Sequence, residues 1–191
     1  MVDLAVLRLM KRRRHYPRTG DYERLERELA AAVQLYRDKG HIGAPHGFHR
    51  APPPLRSPDI RKGWFPGLRY ERLAFVSGYT PDPDDAVGHR WQTFRANHTA
   101  HAWMLRHGDA SRPWVICLHG LGTGSPWMDF PAFKADVLHH DLGLNLLFPV
   151  LPLHGPRRSP GMVRGSLMSF ELVQTIHGLS QAVWDVRRLL G

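Results

Sequence analysis

The sequence predicts an α/β fold: a sheet with parallel strands and crossover helices, preceded by a helical and irregular N-terminal extension. Three observations carry this. Two runs, Trp-Val-Ile-Cys-Leu at 114–118 and Leu-Asn-Leu-Leu-Phe-Pro-Val at 144–150, are apolar almost without alternation, as strands covered on both faces read. A glycine-rich turn follows the first run, and a stretch of helical composition separates the two. After the second run Phe170, Val173, Ile176, Leu179, Val183, Val186 and Leu190 trace one stripe, the spacing of a half-buried helix. Strand, turn, helix, strand, loop, helix is a βαβα unit, whose crossover is right-handed as a rule.

The elements follow in order. Residues 4–14 suit a short helix ended by Pro17 and Gly20. Residues 21–38 suit a better one, with Tyr22, Leu25, Leu29, Val33 and Tyr36 on one face and Gly40 past its end. Residues 41–67 are rich in Pro, Gly, His and Arg and have no period, and Ala-Pro-Pro-Pro at 51–54 forbids a regular ladder; they read as an arm that wraps or links to a core. Residues 73–76, 90–96 and 99–106 are strand candidates, the last two joined by a hairpin turn at Asn97-His98. A helix is expected over 131–142, with Pro131 in its first turn and Gly143 closing it. The last helix is expected over 169–190.

Composition divides the chain near residue 72. Residues 1–72 carry 16 Lys/Arg against 8 Asp/Glu, and residues 73–191 carry 10 against 9. We therefore read 1–72 as a basic, helical and Pro-rich extension and 73–191 as the α/β part. With 42% hydrophobic and 23% charged residues the 191-residue chain is globular rather than disordered. It has no apolar run long enough for a membrane span. The apolar residues 1–10 precede the basic run Lys11-Arg12-Arg13-Arg14, the reverse of a signal peptide, and Cys117 stands alone; both lead to the expectation of a cytoplasmic protein. The basic run motivates an anion-binding alternative, but it lacks interleaved aromatics and a nucleic-acid motif, so nucleic acid is not the expected partner.

The chemistry lies in residues 114–129, W-V-I-C-L-H-G-L-G-T-G-S-P-W-M-D. A buried strand delivers the backbone to a turn with three glycines, which tolerate positive φ and close approach to a ligand. Free amides there can face an oxygen that gains negative charge, the requirement of acyl transfer. His119-Gly120-Leu121-Gly122 resembles the His-Gly-x-Gly turn of the α/β-hydrolase fold. The segments Leu144-Asn145-Leu146, 149–158 (Pro-Val-Leu-Pro-Leu-His-Gly-Pro-Arg-Arg) and 181–188 (Gln-Ala-Val-Trp-Asp-Val-Arg-Arg) resemble one bacterial, esterase-like group within it. The resemblance covers roughly 73–191. It implies a partial hydrolase sheet with the early strands and first two crossover helices. It also implies an oxyanion donor at the Leu121 N–H, in a turn shaped by His119, Gly120 and Gly122.

The departure is as informative. The resemblance places a Gly-x-Ser-x-Gly elbow on the strand after the last helix, and the sequence contains none. The expectation is the front part of a longer hydrolase, inactive alone, acting on a small acyl substrate once a C-terminal part completes it; the alternative is a hydrolase-like scaffold without chemistry. Trp127, His154 and Arg157 are candidates to line the substrate pocket, against the plainer reading of core packing or loop fixing. Cys117 reads as a buried core thiol, Ser166 as a polar residue at a helix start, and Asp129 as a helix cap or a group polarising the turn. The thirteen histidines match no His-Glu-x-x-His spacing, so neither a metal nor a cofactor is expected.

Overall fold

A computed structural model describes residues 17–109, 111–159 and 167–191. The helix expected over 4–14, the Lys11–Arg14 run and Ser166 lie outside the described residues. The architecture is α/β, with one mixed five-stranded sheet and helices around it. The elements are α1 (Thr19–Asp38), β1 (Asp59–Phe65), β2 (Leu68–Val76), α2 (Gly88–Gln92), β3 (Thr99–Leu105), β4 (Trp114–Ile116), α3 (Pro126–Ala132), β5 (Asn145–Val150) and α4 (Leu172–Leu190). The strand order is β1-β2-β3-β5-β4. β1 to β3 form an antiparallel meander, β3 pairs antiparallel with β5, and β4 pairs parallel with β5.

The core sits where the sheet meets α3. Tyr70, Trp103, Leu105, Phe130, Leu146 and Phe148 pack together there, with Phe130 edge-on to Tyr70 at 5.2 Å. All six residues of β5 are buried, as its unbroken apolar run predicts. β4 departs from the same prediction. It is an edge strand among the described residues, and Trp114 is 48% exposed.

The division at residue 72 falls inside β2, and the arm supplies β1. The extension is therefore part of the sheet. The hairpin turns at Pro66-Gly67, with Gly67 at φ +77, the residue pair of a type II turn. Gly63 lies opposite Tyr70, and a Cβ there would come within 2.4 Å of the Tyr70 ring. α1 docks on α4 through a paired contact: the Arg24 guanidinium donates to both Glu171 oxygens, at 2.8 and 2.5 Å.

Three expected elements are corrected. Residues 90–96 form no strand; they hold the end of α2 and the start of a 3₁₀ turn over Arg95–His98. The Asp85 carboxylate accepts the Val87 N–H at 2.9 Å, and buried Trp91 reaches across to donate its indole N–H to Gln181 Oε1 at 2.8 Å. These contacts outweigh a weak local alternation. Asn97-His98 is consequently no hairpin turn; the Asn97 side chain accepts the Leu153 N–H. The helix expected over 131–142 starts earlier, at Pro126, and ends at Ala132. Pro131 inside it cannot donate and crowds the preceding turn. A separate π-helical turn follows over Val137–Asp141.

The stripe read on the last helix is only partly what α4 buries. Of the stripe, Val173 is buried but Leu179 and Leu190 are exposed, while Thr175, His177, Gly178, Gln181 and Asp185 from outside it are buried. Among the described residues, no helix is long and apolar enough to cross a membrane.

Candidate oxyanion site

The Cys117 N–H donates to Leu147 O at 2.8 Å, which carries the ladder one residue past β4. The chain then enters the turn Leu118–Gly124. His119 is buried at its start. Its Nε2 accepts the Leu151 N–H at 3.0 Å, and its Nδ1 lies 2.9 Å from Gly120 O. An amide only donates and a carbonyl only accepts, so these two bonds require the neutral Nδ1–H tautomer. Gly120 O also accepts the Thr123 hydroxyl at 2.8 Å.

This pinning has a geometric consequence. In a trans peptide the carbonyl and the following N–H point in opposite directions. With the Gly120 carbonyl held by two donors, the Leu121 N–H is turned the other way, and it finds no acceptor among the described residues. Leu121 itself is 56% exposed. Gly122 and Gly124 take φ of +80 and +98, values that an L side chain would strain. The Gly124 N–H donates to Asp129 Oδ1 at 3.2 Å. Asp129 is not the cap of α3, a place taken by Ser125. It sits in the first turn as a buried brace for the glycine loop, and burial pushes its carboxyl above the ordinary range.

The turn rests on the loop after β5. A Cβ on Gly155 would fall 2.1 Å from Gly124 O, so the two backbones touch directly. Between them lies a depression of about 140 Å³, whose walls include Gly122, Thr123, Ser125, Met128 and His154. His154 Nδ1 lies 2.9 Å from Pro152 O, a carbonyl that only accepts, so Nδ1 carries a hydrogen. Burial pushes its pKa below the ordinary value. The His119 and His154 rings stand 4.9 Å apart.

The sequence candidates thus separate. His119, Gly120, Leu121, Gly122 and His154 come together. Trp127 does not line the depression; it is 65% exposed and packs on Phe65 at 5.0 Å. Arg157 turns inward instead. Its guanidinium donates to Val150 O at 2.8 Å, Asn97 O at 3.1 Å and Asp185 Oδ2 at 2.8 Å, and the neighbouring Arg158 faces the depression. Cys117 is a buried thiol pushed up by burial.

A group missed in the sequence lies beneath the site. Ser77 donates to Asp185 Oδ1 at 2.6 Å, and Gln181 donates to Ser77 Oγ and Asn97 O at 2.9 and 2.7 Å. With Arg157 they lock α4, the end of β2 and the loop after β5 into one buried polar cluster. Arg157, Gln181 and Asp185 fall in segments that carry the hydrolase resemblance, but nothing in the sequence brings them together.

No family model matches the chain. It is 40% identical over 189 residues to an uncharacterized protein of Mycobacterium tuberculosis strain CDC 1551 / Oshkosh. It is 39% identical over 189 residues to one of strain ATCC 25618 / H37Rv. Each alignment covers 98% of this chain and 45% of the relative, so the chain spans about half the length of the curated relatives it matches.

Proposed function

We propose that this chain supplies the oxyanion-binding front part of an α/β-hydrolase acting on ester or amide bonds. One observation carries the reading: the Leu121 N–H, in the turn that follows a parallel strand, is aimed away from its own turn by a doubly bonded Gly120 carbonyl. In such a site a serine attacks the carbonyl carbon and a histidine takes the hydroxyl proton. The oxyanion binds the Leu121 N–H together with the amide after the nucleophile, and the histidine returns the proton to the departing alcohol or amine.

Two further features support it. β4 is paired only with β5 among the described residues, and its outer edge is where the resemblance places the nucleophile strand. The relatives are long enough to hold that strand and the remaining triad members. The small acyl substrate is then bound jointly, with the depression between Thr123 and His154 as this chain's share.

The test is fluorophosphonate labelling of the native gene product, followed by ester hydrolysis by that product. We expect a labelled serine outside residues 1–191. Replacing Leu121 with Pro, which removes the amide hydrogen, should lower kcat by about 100- to 1,000-fold, while Leu121→Ala keeps most activity. A folded native product that never takes the label would make the chain a scaffold without chemistry.

A further inference from the structure

A second space lies apart from the turn and shares no wall with the first depression. It holds about 80 Å³ between the end of α1, the arm near Phe48, the acidic loop after β2 and the middle of α4. Tyr36, Phe48, Tyr79 and Trp184 give it aromatic walls. Asp85 and His177 lie at its base, with side chains each 4% exposed.

The charges there are uneven. Lys39 is held by Asp82 at 3.4 Å and Asp84 at 2.8 Å. Arg50 donates to Thr80 O and lies over the Trp184 ring at 5.8 Å. Both cations are therefore committed. Asp85 is the one carboxylate of this loop with no Lys or Arg partner among the described residues. Its Oδ1 accepts the Val87 N–H, and its Oδ2 stands 3.4 Å from His177 Nε2, which makes no aligned hydrogen bond. Burial opposes the Asp85 charge, but His177 and the Val87 amide outweigh it and hold the carboxyl below its ordinary value. Burial pushes the Tyr36 and Tyr79 hydroxyls up to about 12, so both rings stay neutral.

We propose that this cavity binds a small organic cation, a protonated amine on a short apolar stem. The ammonium pairs with Asp85 and lies against the neutral faces of Tyr36 and Tyr79, an arrangement that favours cations through the ring quadrupole. The stem fills the space toward Phe48 and Trp184. An anion would face the Asp85 carboxylate, while Lys39 and Arg50 on the same walls are already held by other partners. A neutral guest would bring no positive charge to the Asp85 carboxylate, which has no Lys or Arg partner among the described residues.

The test is calorimetric titration of the 191-residue chain at neutral pH with benzylamine, benzyl alcohol and benzoate, three probes of one size and three charges. Benzylamine should bind saturably and at least tenfold tighter than benzyl alcohol, and benzoate should not bind. Asp85→Asn should reduce benzylamine to the level of the alcohol. Because Asp85 also holds the Val87 amide, Ser180→Leu serves as a second variant; it fills the cavity from α4, leaves Asp85 in place, and should abolish binding. Equal affinity for amine and alcohol, no binding of the amine, or amine binding that survives Ser180→Leu would overturn the proposal.

Discussion

The glycine turn after β4 and the polar cluster beneath α4 are neighbours that work in opposite ways. In the turn, the group offered to a ligand is a main-chain amide, and the conspicuous side chain, His119, acts only on backbone: it ties the Leu151 N–H to the Gly120 carbonyl. In the cluster, the side chains themselves are the structure, and Arg157, Asp185, Ser77 and Gln181 satisfy one another away from water. The lesson is that a polar residue's type does not reveal its role. Arg157 stood out in the sequence as a pocket candidate, yet it spends its donors on Val150 O, Asn97 O and Asp185.

One substitution separates the two regions most sharply. Arg157→Met leaves Asp185 buried without its cation, which costs about 3–5 kcal/mol of stability when one partner of a buried pair is removed. Urea unfolding of the variant checks this. If the midpoint barely moves, the cluster is not the lock described here. Joint replacement of Arg157 and Asp185 by apolar residues should recover part of the loss.

An intermediate effect probes the turn through its support. Gly155→Ala places a methyl group against Gly124 O at a residue with φ +47. The strain should cost on the order of 1–3 kcal/mol and displace the glycine loop. Amide exchange over residues 119–124 is the measurement; unchanged protection there would mean that the two loops are not mechanically joined.

The smallest effect is a pH signature of Asp129. Burial raises its folded pKa above the ordinary value. Its cost to stability is therefore absent below the ordinary value, grows as pH rises toward the folded value, and is complete above it. The stability advantage of the native protein over Asp129→Asn should widen as pH falls from neutral into the acid range. A difference that stays flat with pH would show that the carboxyl carries no such burden.

Where the determinant is local, these regions were legible in the sequence. The helix at Thr19–Asp38, the strands Thr99–Leu105 and Asn145–Val150 and the turn at His119–Gly124 were all legible. Periodicity, an unbroken apolar run or a cluster of glycines specifies each within a dozen residues. Where the deciding contact is distant, the structure was not legible. Trp91 belongs to a helix because Gln181, ninety residues on, accepts its indole hydrogen. β1 arises from a Pro-rich arm because Gly63 admits the Tyr70 ring.

The amino-acid order alone determined the alternation of elements from β4 to α4 and the chemical character of the turn, since glycine conformational freedom and apolar burial act over short stretches of chain. Where the strong side chains point depended on contacts between distant parts of the chain. Directions were set by which buried donors and acceptors needed partners, and those partners lie on elements the chain brings together from far apart. It is this long-range pairing that turned His119 and Arg157 toward structure and left the Leu121 amide facing outward.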